Sequence, residues 1–290
     1  MLLLGTSPSG GGGGGEESYR GLFRLLSEEH VPFAVSDNMD WLGKRDYDLV
    51  VASDWAPAGL RQYAEKGGNV LIVSAAKPEF EVAPVVRSMP DVKGYIRIRD
   101  HDAFPSLKDT DLLLLNGPFT ELEPDRRAPL TLVPPSMIGP PEFVHIDMKE
   151  TETPAIIIRP AGHGTVAWVP WNLGALYYRH SLPAHDALFR DILDRLEPRR
   201  QIRTDAHPLV EMTLMKQDSR TLLHLINLSG HSQTGYFPPV PMSQIHIQVA
   251  GLYKSARAVR VPGSLPVRVS NGYTEFTLPR LSDYELLVLE

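Results

Sequence analysis

Residues 47–74 read YDLVVASDWAPAGLRQYAEKGGNVLIVS, and this stretch decides the fold that the sequence predicts. Two short apolar runs, Tyr47 to Ala52 and Asn69 to Val73, flank an amphipathic segment from Ala58 to Lys66, which Gly67-Gly68 ends. Short apolar runs that alternate with helical periods are typical of βαβ units, whose strands are parallel. The stretch therefore predicts a strand, a helix and a second strand of an α/β domain.

The same alternation continues towards the amino terminus. Leu2 to Leu4 and Phe33 to Val35 predict two further strands, so that four parallel strands are expected. The helix between them has one apolar face at helical spacing, formed by Tyr19, Leu22, Phe23 and Leu26.

Towards the carboxyl terminus the pattern is less regular. Strands are predicted at 95–99 and 111–115, and the prolines between Pro118 and Pro141 predict a long ordered excursion over the surface. A hairpin over 155–170 turns at Gly162-His163-Gly164, and a helix from Pro183 to Leu196 precedes Pro198-Arg199-Arg200. The first domain is therefore predicted to span residues 1–200.

From about Thr204 the hydrophobic period changes to two, which is typical of half-buried strands. Seven short runs share this pattern: 210–215, 221–228, 245–249, 256–261, 265–269, 273–278 and 284–289. Turn residues separate them, and no helical period fits. Residues 204–290 are predicted to form a small all-β sandwich.

Composition narrows the function classes. The 290 residues carry a net charge of −6, which gives no general attraction for nucleic acid or anionic membranes. The chain has no Cys, which removes disulfides, thiolate metal sites and cysteine nucleophiles. Met1 to Leu4 is too short for a signal peptide or a membrane span, so we expect a soluble protein whose compartment stays open. Because these residues also resemble a first β-strand, we expect the chain to be one portion of a longer polypeptide.

Three stretches resemble known families. Val70-Leu-Ile-Val-Ser-Ala-Ala resembles the strand and nucleophile elbow of class I glutamine amidotransferase-like domains. Residues 162–180, GHGTVAWVPWNLGALYYRH, resemble the end of the β-galactosidase trimerisation-type domain that follows the catalytic barrel in several bacterial glycoside hydrolase families. Residues 278–290 are similar to the small β-domain that ends those proteins. The resemblance implies a flavodoxin-like, three-layer α/β domain in residues 1–200, followed by the β-sandwich.

The resemblance also implies a role without catalysis. Ser74 stands where catalytic amidotransferases carry Cys, and Val169-Pro170-Trp171 replaces their His-Pro-Glu segment. A Ser hydroxyl without an adjacent base is a weak nucleophile, so Ser74 is interpreted as a vestigial elbow residue and no catalytic residue is predicted. The chain also has no room for an eight-stranded barrel with paired carboxylates. We expect an accessory or oligomerisation region of a glycoside hydrolase, in contact with a catalytic barrel domain or a neighbouring subunit.

Two alternatives stay open. A free-standing carbohydrate-binding protein would use exposed aromatic rings, and Trp55, Trp171 and Tyr178 are the predicted ligand-binding residues. The other interpretation of the aromatic residues around Tyr178 is that they belong to the core or an interface. An enzyme of amidotransferase-like or trehalose-utilisation-like type would instead act through Ser74 or a carboxylate, so whether the chain is itself an enzyme stays open.

No metal or cofactor is predicted. His180 and His185 lie five residues apart, which does not place two imidazoles on one helical face. The Gly10–Gly15 run precedes Glu16-Glu17, whose charge repels phosphate, and is interpreted as a loop. Scattered acidic residues could in principle converge in space: Asp54, Asp100, Asp102, Asp111, Glu142 and Asp147. Arg179-His180 is expected to pair with a carboxylate of a partner or with the acids of the excursion.

Overall fold

The computed structural model describes residues 1–5, 13–44, 47–135, 151–196, 200–232, 234–261 and 263–290. It divides into two compact units, the first formed by Met1–Leu25 with Ala34–Pro198 and the second by Leu26–Phe33 with Arg199–Glu290. Within the described ranges, no helix has the length and apolar character needed to cross a membrane. Gly10 to Gly12 of the glycine run, Glu142, Asp147 and the Pro198-Arg199 boundary lie outside these ranges.

The first unit contains nine described strands and all four described α-helices. The strands are β1 (Leu2–Gly5), β2 (Ala34–Ser36), β3 (Leu49–Ser53), β4 (Asn69–Val73), β5 (Val85–Ile98), β6 (Leu112–Leu122), β7 (Leu130–Val133), β8 (Ile157–Ala161) and β9 (Gly164–Val169). The helices are α1 (Gly13–Glu28), α2 (Gly59–Glu65), α3 (Leu173–His180) and α4 (Pro183–Leu196). The four predicted strands and the helices at α1, α2 and α4 are confirmed, whereas α3 was not predicted.

The main sheet of this unit has the order β2-β1-β3-β4-β9-β8. All its pairs are parallel except β8 with β9, which form the predicted hairpin. On one face Val50 and Ile72 pack in a core with Leu60 of α2, while Val51 and Leu71 on the opposite face are also fully buried. Burial on both faces explains why these strands are continuous apolar runs.

The end of α2 was predicted at Gly67-Gly68, and the structure confirms the reason. Gly67 has φ of +113°, a conformation that a side chain resists, and its N–H donates to the Ala64 carbonyl at 3.0 Å. The Gly68 N–H donates to the Tyr63 carbonyl at 3.2 Å. The chain thereby leaves α2 and enters β4 directly.

The predicted flavodoxin-like, three-layer domain is wrong. The protein is mostly β, with 44% of residues in strands and 18% in helices. Between β4 and β9, where such a domain would place helical crossovers, the chain builds a second, antiparallel sheet of order β6-β5-β7. The amidotransferase-like and flavodoxin-like descriptions are therefore not supported.

The strands predicted at 95–99 and 111–115 are confirmed as parts of β5 and β6, but the excursion predicted from Pro118 onwards is partly wrong, because β6 continues to Leu122 and Leu130–Val133 form β7. Pro118 lies inside β6, but β6 is an edge strand, where a missing N–H costs no ladder hydrogen bond. Pro90 lies inside β5 between Met89 and Val92, where the register of β5 against β6 shifts. Edge strands and bulges thus tolerate proline.

The second unit confirms the predicted β-sandwich. Its strands are β10 (Ile202–Thr204), β11 (Val210–Gln217), β12 (Arg220–Asn227), β13 (His231–Ser232), β14 (Gly235–Tyr236), β15 (Met242–Ala250), β16 (Ala256–Ala258), β17 (Ser264–Leu265), β18 (Arg268–Ser270), β19 (Tyr273–Leu281) and β20 (Tyr284–Leu289). They form sheets of order β10-β15-β19-β18 and β11-β12-β20-β16-β17, with β13-β14 as a separate hairpin. Ile247 and Phe276 of the first sheet share one core with Leu223 and Leu287 of the second.

A buried carboxylate fixes one irregular segment of this sandwich. Glu285 of β20 is almost fully buried, and its Oε1 accepts hydrogen bonds from the N–H groups of Val259 (2.9 Å) and Arg260 (2.8 Å). Its Oε2 accepts from the Val261 N–H at 2.8 Å. Three consecutive amides beyond the end of β16 are thus bonded by one side chain. The Val259 N–H also bonds to the Leu286 carbonyl of β20 at 3.0 Å, whereas the Arg260 and Val261 amides, past the strand pairing, find their acceptor in Glu285.

Candidate functional site at the carboxyl edge of the main sheet

Open α/β sheets bind ligands beyond the carboxyl ends of their parallel strands, so this edge is the first place to look for a site. In this protein β3, β4 and β9 end side by side there. They are followed by Asp54-Trp55, by Ser74 and by Trp171-Asn172. Three of the four residues named from the sequence therefore lie at one edge of the sheet, while Tyr178 lies on α3.

Ser74, the predicted elbow residue, is buried in a backbone turn. Its Oγ accepts a hydrogen bond from the Ala76 N–H at 2.9 Å and donates to the Ala76 carbonyl at 3.3 Å. Its own carbonyl accepts from the Trp168 indole N–H at 2.9 Å. The hydroxyl thus bonds to backbone in a local turn, which is the common structural use of a Ser in this setting.

Asp54 lies at this edge of the sheet and has a shifted pKa. Its φ is +54°, in the left-handed region, and its carboxyl group bonds to Ser18, a buried residue of α1. The Ser53 hydroxyl donates to the Ser18 hydroxyl at 3.3 Å. Burial raises the pKa of the Asp54 carboxyl to about 6, against the lowering effect of the Ser18 hydrogen bond. A half-buried carboxyl with a positive φ and a raised pKa at a sheet edge makes Asp54 a candidate functional residue.

Two glycines place α1 against α3 and so bring Ser18 to this edge. A Cβ on Gly21 would lie 1.8 Å from the Gly174 carbonyl oxygen, and one on Gly174 would lie 2.5 Å from that of Ser18. Only glycine allows the two helix backbones to approach so closely. The sequence shows both glycines, but not that they face each other.

Trp171, a predicted ligand-binding residue, is fully buried. Its indole N–H donates to the Ala155 carbonyl at 2.9 Å, and its ring lies 5.7 Å from that of His185, centroid to centroid. Burial lowers the pKa of His185 to about 4, so this imidazole is neutral near pH 7. The Trp171 ring has no exposed face for a sugar, which agrees with the core interpretation of this residue.

Trp55 is half-buried on the face of the main sheet that packs against α2. Its indole N–H donates to Glu79 Oε1 at 3.2 Å, and Glu79 Oε2 accepts from the Ala58 N–H at 3.1 Å. The ring packs against the core that contains Leu60. Glu79 therefore joins the ring to the start of α2, a role that sequence analysis did not assign to it.

Tyr178 is 39% exposed, but arginine covers part of it. Arg20 of α1 donates to the Tyr178 hydroxyl at 3.2 Å, and its guanidinium carbon lies 5.9 Å from the ring centroid. Next to it, Arg179 Nε donates to Glu17 Oε2 at 2.8 Å. Arg179 thus pairs with Glu17 of α1, which is neither a partner's carboxylate nor an acid of the predicted excursion.

The structure separates the three predicted ligand residues. Among the described residues, no hydrogen bond or ring contact joins Trp55, Trp171 and Tyr178. The described acidic residues do not form a group with histidines that could hold a metal ion. Asp100 accepts from the Ala103 N–H at 3.0 Å, and Asp111 lies 3.8 Å from His101. These acids therefore serve local structure, far along the chain from Asp54.

Two shallow clefts lie elsewhere in the first unit, beside edge strand β8. One, of about 240 Å³, is lined by Arg61, Glu65 and Phe80, and the other, of about 210 Å³, by Glu123 and Asp125. Arg159 lines both clefts, and its guanidinium donates to the Val82 carbonyl at 3.3 Å. Each cleft is smaller than a typical small-molecule site, so neither replaces the sheet edge as a candidate.

Comparisons with solved structures relate this fold to glycoside hydrolases. α-L-Fucosidase isoenzyme 2 from Paenibacillus thiaminolyticus matches with a TM-score of 0.75 and 18% identity, over 100% of this chain and 48% of that chain. A β-galactosidase from Bacillus circulans sp. alkalophilus matches with a TM-score of 0.60 and 11% identity, over 100% and 41%. Gan42B, a GH42 β-galactosidase from G. stearothermophilus, matches with a TM-score of 0.59 and 11% identity, over 99% and 40%.

These likenesses show a shared fold across both units. The chain spans less than half the length of each of these three proteins. No protein-family model matches the sequence, and a search of curated proteins finds no match. The chain is therefore related in fold to one part of glycoside hydrolases.

Proposed function

We propose that this chain is an accessory, non-catalytic region of a carbohydrate-active enzyme of the glycoside hydrolase type. The observation that carries the proposal is that the whole chain matches less than half of an α-L-fucosidase at a TM-score of 0.75. A match of both units together favours a shared multi-domain arrangement over chance likeness of one common sheet.

The geometry at the sheet edge supports the non-catalytic part of the proposal. The Ser74 hydroxyl is bonded to the backbone of Ala76, and Trp171 is packed in the core beside His185. His185 in turn bonds to the Leu114 carbonyl through Nε2 at 2.9 Å, so its ring is held by the fold. These groups therefore stabilise the structure at this edge of the sheet.

The partner is proposed to be a catalytic barrel domain or a neighbouring subunit, as in the β-galactosidase trimerisation-type domain that residues 162–180 resemble. The test is to express the full natural polypeptide that contains this chain and, separately, the 290-residue chain. Hydrolysis of 4-nitrophenyl α-L-fucoside and β-D-galactoside is measured for both, and the mass of each assembly is measured by light scattering.

We expect hydrolysis only by a polypeptide that contains a catalytic barrel, and a smaller assembly when residues 1–290 are deleted. Hydrolysis by the 290-residue chain alone would contradict the proposal. In that case Ser74→Ala tests the competing enzymatic interpretation, because loss of the activity would identify Ser74 as its nucleophile, and Ser88→Ala is the control at an exposed Ser of β5.

A further inference from the structure

Two adjacent aromatic rings of the second unit, those of Tyr236 and Phe237, are exposed to solvent. Tyr236, at the end of β14, is 60% exposed, and Phe237 is 64% exposed. Val240, three residues on, is 66% exposed. Rings of this size normally lose solvent contact in a folded domain, so adjacent exposed aromatics indicate a surface that something covers. We refer to residues 228–241, apart from Gln233, as the aromatic loop.

The aromatic loop is anchored to the sandwich by hydrogen bonds. The Asn227 amide donates to the Val240 carbonyl at 2.8 Å, and the Tyr236 hydroxyl donates to the Asn227 carbonyl at 3.3 Å. The Phe237 N–H donates to the Gly230 carbonyl at 2.8 Å. Pro238, Pro239 and Pro241 further restrict the backbone beside the rings. Because the rings are already ordered, a ligand that stacks on them loses little conformational entropy.

Charge distinguishes this surface from the rest of the chain. Charged residues make up 22% of the sequence, yet there is no Asp, Glu, Lys or Arg from Thr221 to Tyr253. Asp283 borders the loop, since its carbonyl accepts from the Asn227 N–H at 2.8 Å, but its carboxylate is paired with Arg260 at 2.8 Å. The loop therefore offers no fixed charge to an ionic ligand.

The polar groups beside the rings are neutral donors and acceptors. His231, whose ring lies 6.3 Å from that of Tyr236, is exposed, as are the hydroxyls of Ser232 and Thr234. A pyranose presents weakly positive C–H groups on one face, which the negative face of an aromatic ring attracts, and hydroxyls around its rim. Exposed rings surrounded by hydroxyl and imidazole groups match that pattern, and a neutral sugar needs no counter-charge.

We propose that Tyr236 and Phe237 form a stacking surface for a neutral oligosaccharide. The proposal takes its ligand class from the proposed function, and it assigns sugar contact to the second unit, away from Trp55, Trp171 and Tyr178. The loop is too small for a stable protein interface by itself, because such interfaces bury about 800 Å² on each partner.

The experiment measures binding of the 290-residue chain to β-1,4-galactotetraose and to a fucosylated xyloglucan oligosaccharide, by calorimetry and by ring-proton shifts in NMR. Polygalacturonic acid is the charged comparator. Tyr236→Ala and Phe237→Ala are each expected to weaken binding about tenfold, and the double variant to abolish it. Tyr236→Phe keeps the ring and is expected to retain most of the affinity. Leu252→Ala is the matched control, because Leu252 is 74% exposed in the same uncharged stretch but has no ring.

Three outcomes would overturn the proposal. They are the absence of binding to either neutral probe up to about 10 mM, unchanged binding by the double variant, and loss of self-association by the double variant in sedimentation, which would identify a protein interface instead. Circular dichroism of each variant verifies folding. Hydrolysis by the chain alone would contradict the proposed function without affecting this test, so the two failures are distinguishable.

Discussion

Two pairs of aromatic residues, one pair in each unit, differ sharply in exposure. In the first, Trp168 and Trp171 are fully buried at the end of a parallel sheet, with their indole N–H groups bonded to backbone carbonyls. In the second, Tyr236 and Phe237 stand in solvent on a loop that is itself well bonded. The comparison teaches that an aromatic residue after an apolar strand belongs to the core, whereas one in an uncharged, proline-rich turn can remain outside.

Among the variants that test this comparison, Trp171→Ala is expected to have the largest effect on the free energy of unfolding. Removing a fully buried indole leaves a cavity and an unbonded Ala155 carbonyl, which lowers the free energy of unfolding by about 3–5 kcal/mol. The measurement is urea unfolding followed by tryptophan fluorescence, which reports the first unit alone because all four Trp residues lie in it. Tyr178→Ala is the control with an exposed ring. A loss below about 1 kcal/mol for Trp171→Ala would contradict the buried assignment.

The packing of the same core can be tested through His185, because the protonation of this residue makes the free energy of unfolding depend on pH. Its pKa falls from 6.5 to about 4 on folding, so the unfolded chain takes up a proton that the folded chain refuses in this range. Folded-state stability from His185 is therefore present above pH 6.5 and is lost as the pH falls towards 4, by about 3 kcal/mol. His185→Gln is expected to remove this acid-induced loss, measured as the urea midpoint between pH 4 and pH 7. An unchanged slope would show that the imidazole is solvated.

Asp54 gives an effect of similar size and opposite sign. Its pKa rises from 3.8 to about 6 on folding, so the buried carboxylate lowers stability above pH 6 by about 3 kcal/mol and has no such effect below pH 3.8. Asp54→Asn is expected to raise the unfolding free energy at pH 8 and not at pH 4, because Asn also tolerates the positive φ.

In the wild type these two titrations oppose each other between pH 4 and pH 6. Each single variant should therefore reveal a slope that the other group hides, and the Asp54→Asn, His185→Gln double variant should be flatter than either. Equal slopes in all four proteins would refute both assignments.

The smallest expected stability change belongs to the aromatic loop. Tyr236→Ala and Phe237→Ala are each expected to shift the free energy of unfolding by at most about 0.5 kcal/mol, because both rings are mostly exposed. Far-UV circular dichroism in urea measures this. A loss as large as that of Trp171→Ala would mean that the rings support the sandwich and would remove the contrast between the units.

Much of the secondary structure was predicted correctly from patterns of residues that are close together in the sequence. Apolar runs such as Val50 to Ala52 gave the parallel strands, and Gly67 gave the end of a helix, because both depend on residues close in the chain. The division of the strands of the first unit into two separate sheets was not predictable in the same way. Pro118 was assigned to a surface excursion, since only tertiary position shows that it lies inside an edge strand of a separate antiparallel sheet.

The burial of Trp171 was not predictable for a related reason. Trp171 and Tyr236 are both aromatic residues at strand ends, and no local signal says that one is enclosed by α4 through His185 while the other faces solvent. The raised pKa of Asp54 depends on burial beside Ser18 of a different element. The missing charges from Thr221 to Tyr253 were visible in the sequence and could have pointed to the aromatic loop.

The hydrogen bonds of Glu285 also affect how fast backbone amides of the sandwich exchange with solvent. The amides of Arg260 and Val261 lie past the strand pairing of β16, yet their exchange with solvent deuterium requires the release of a carboxylate fixed in β20. β20 is the central strand of the five-stranded sheet. These two amides should therefore exchange at the rate at which that sheet opens, so an irregular segment reports an opening of the sandwich core.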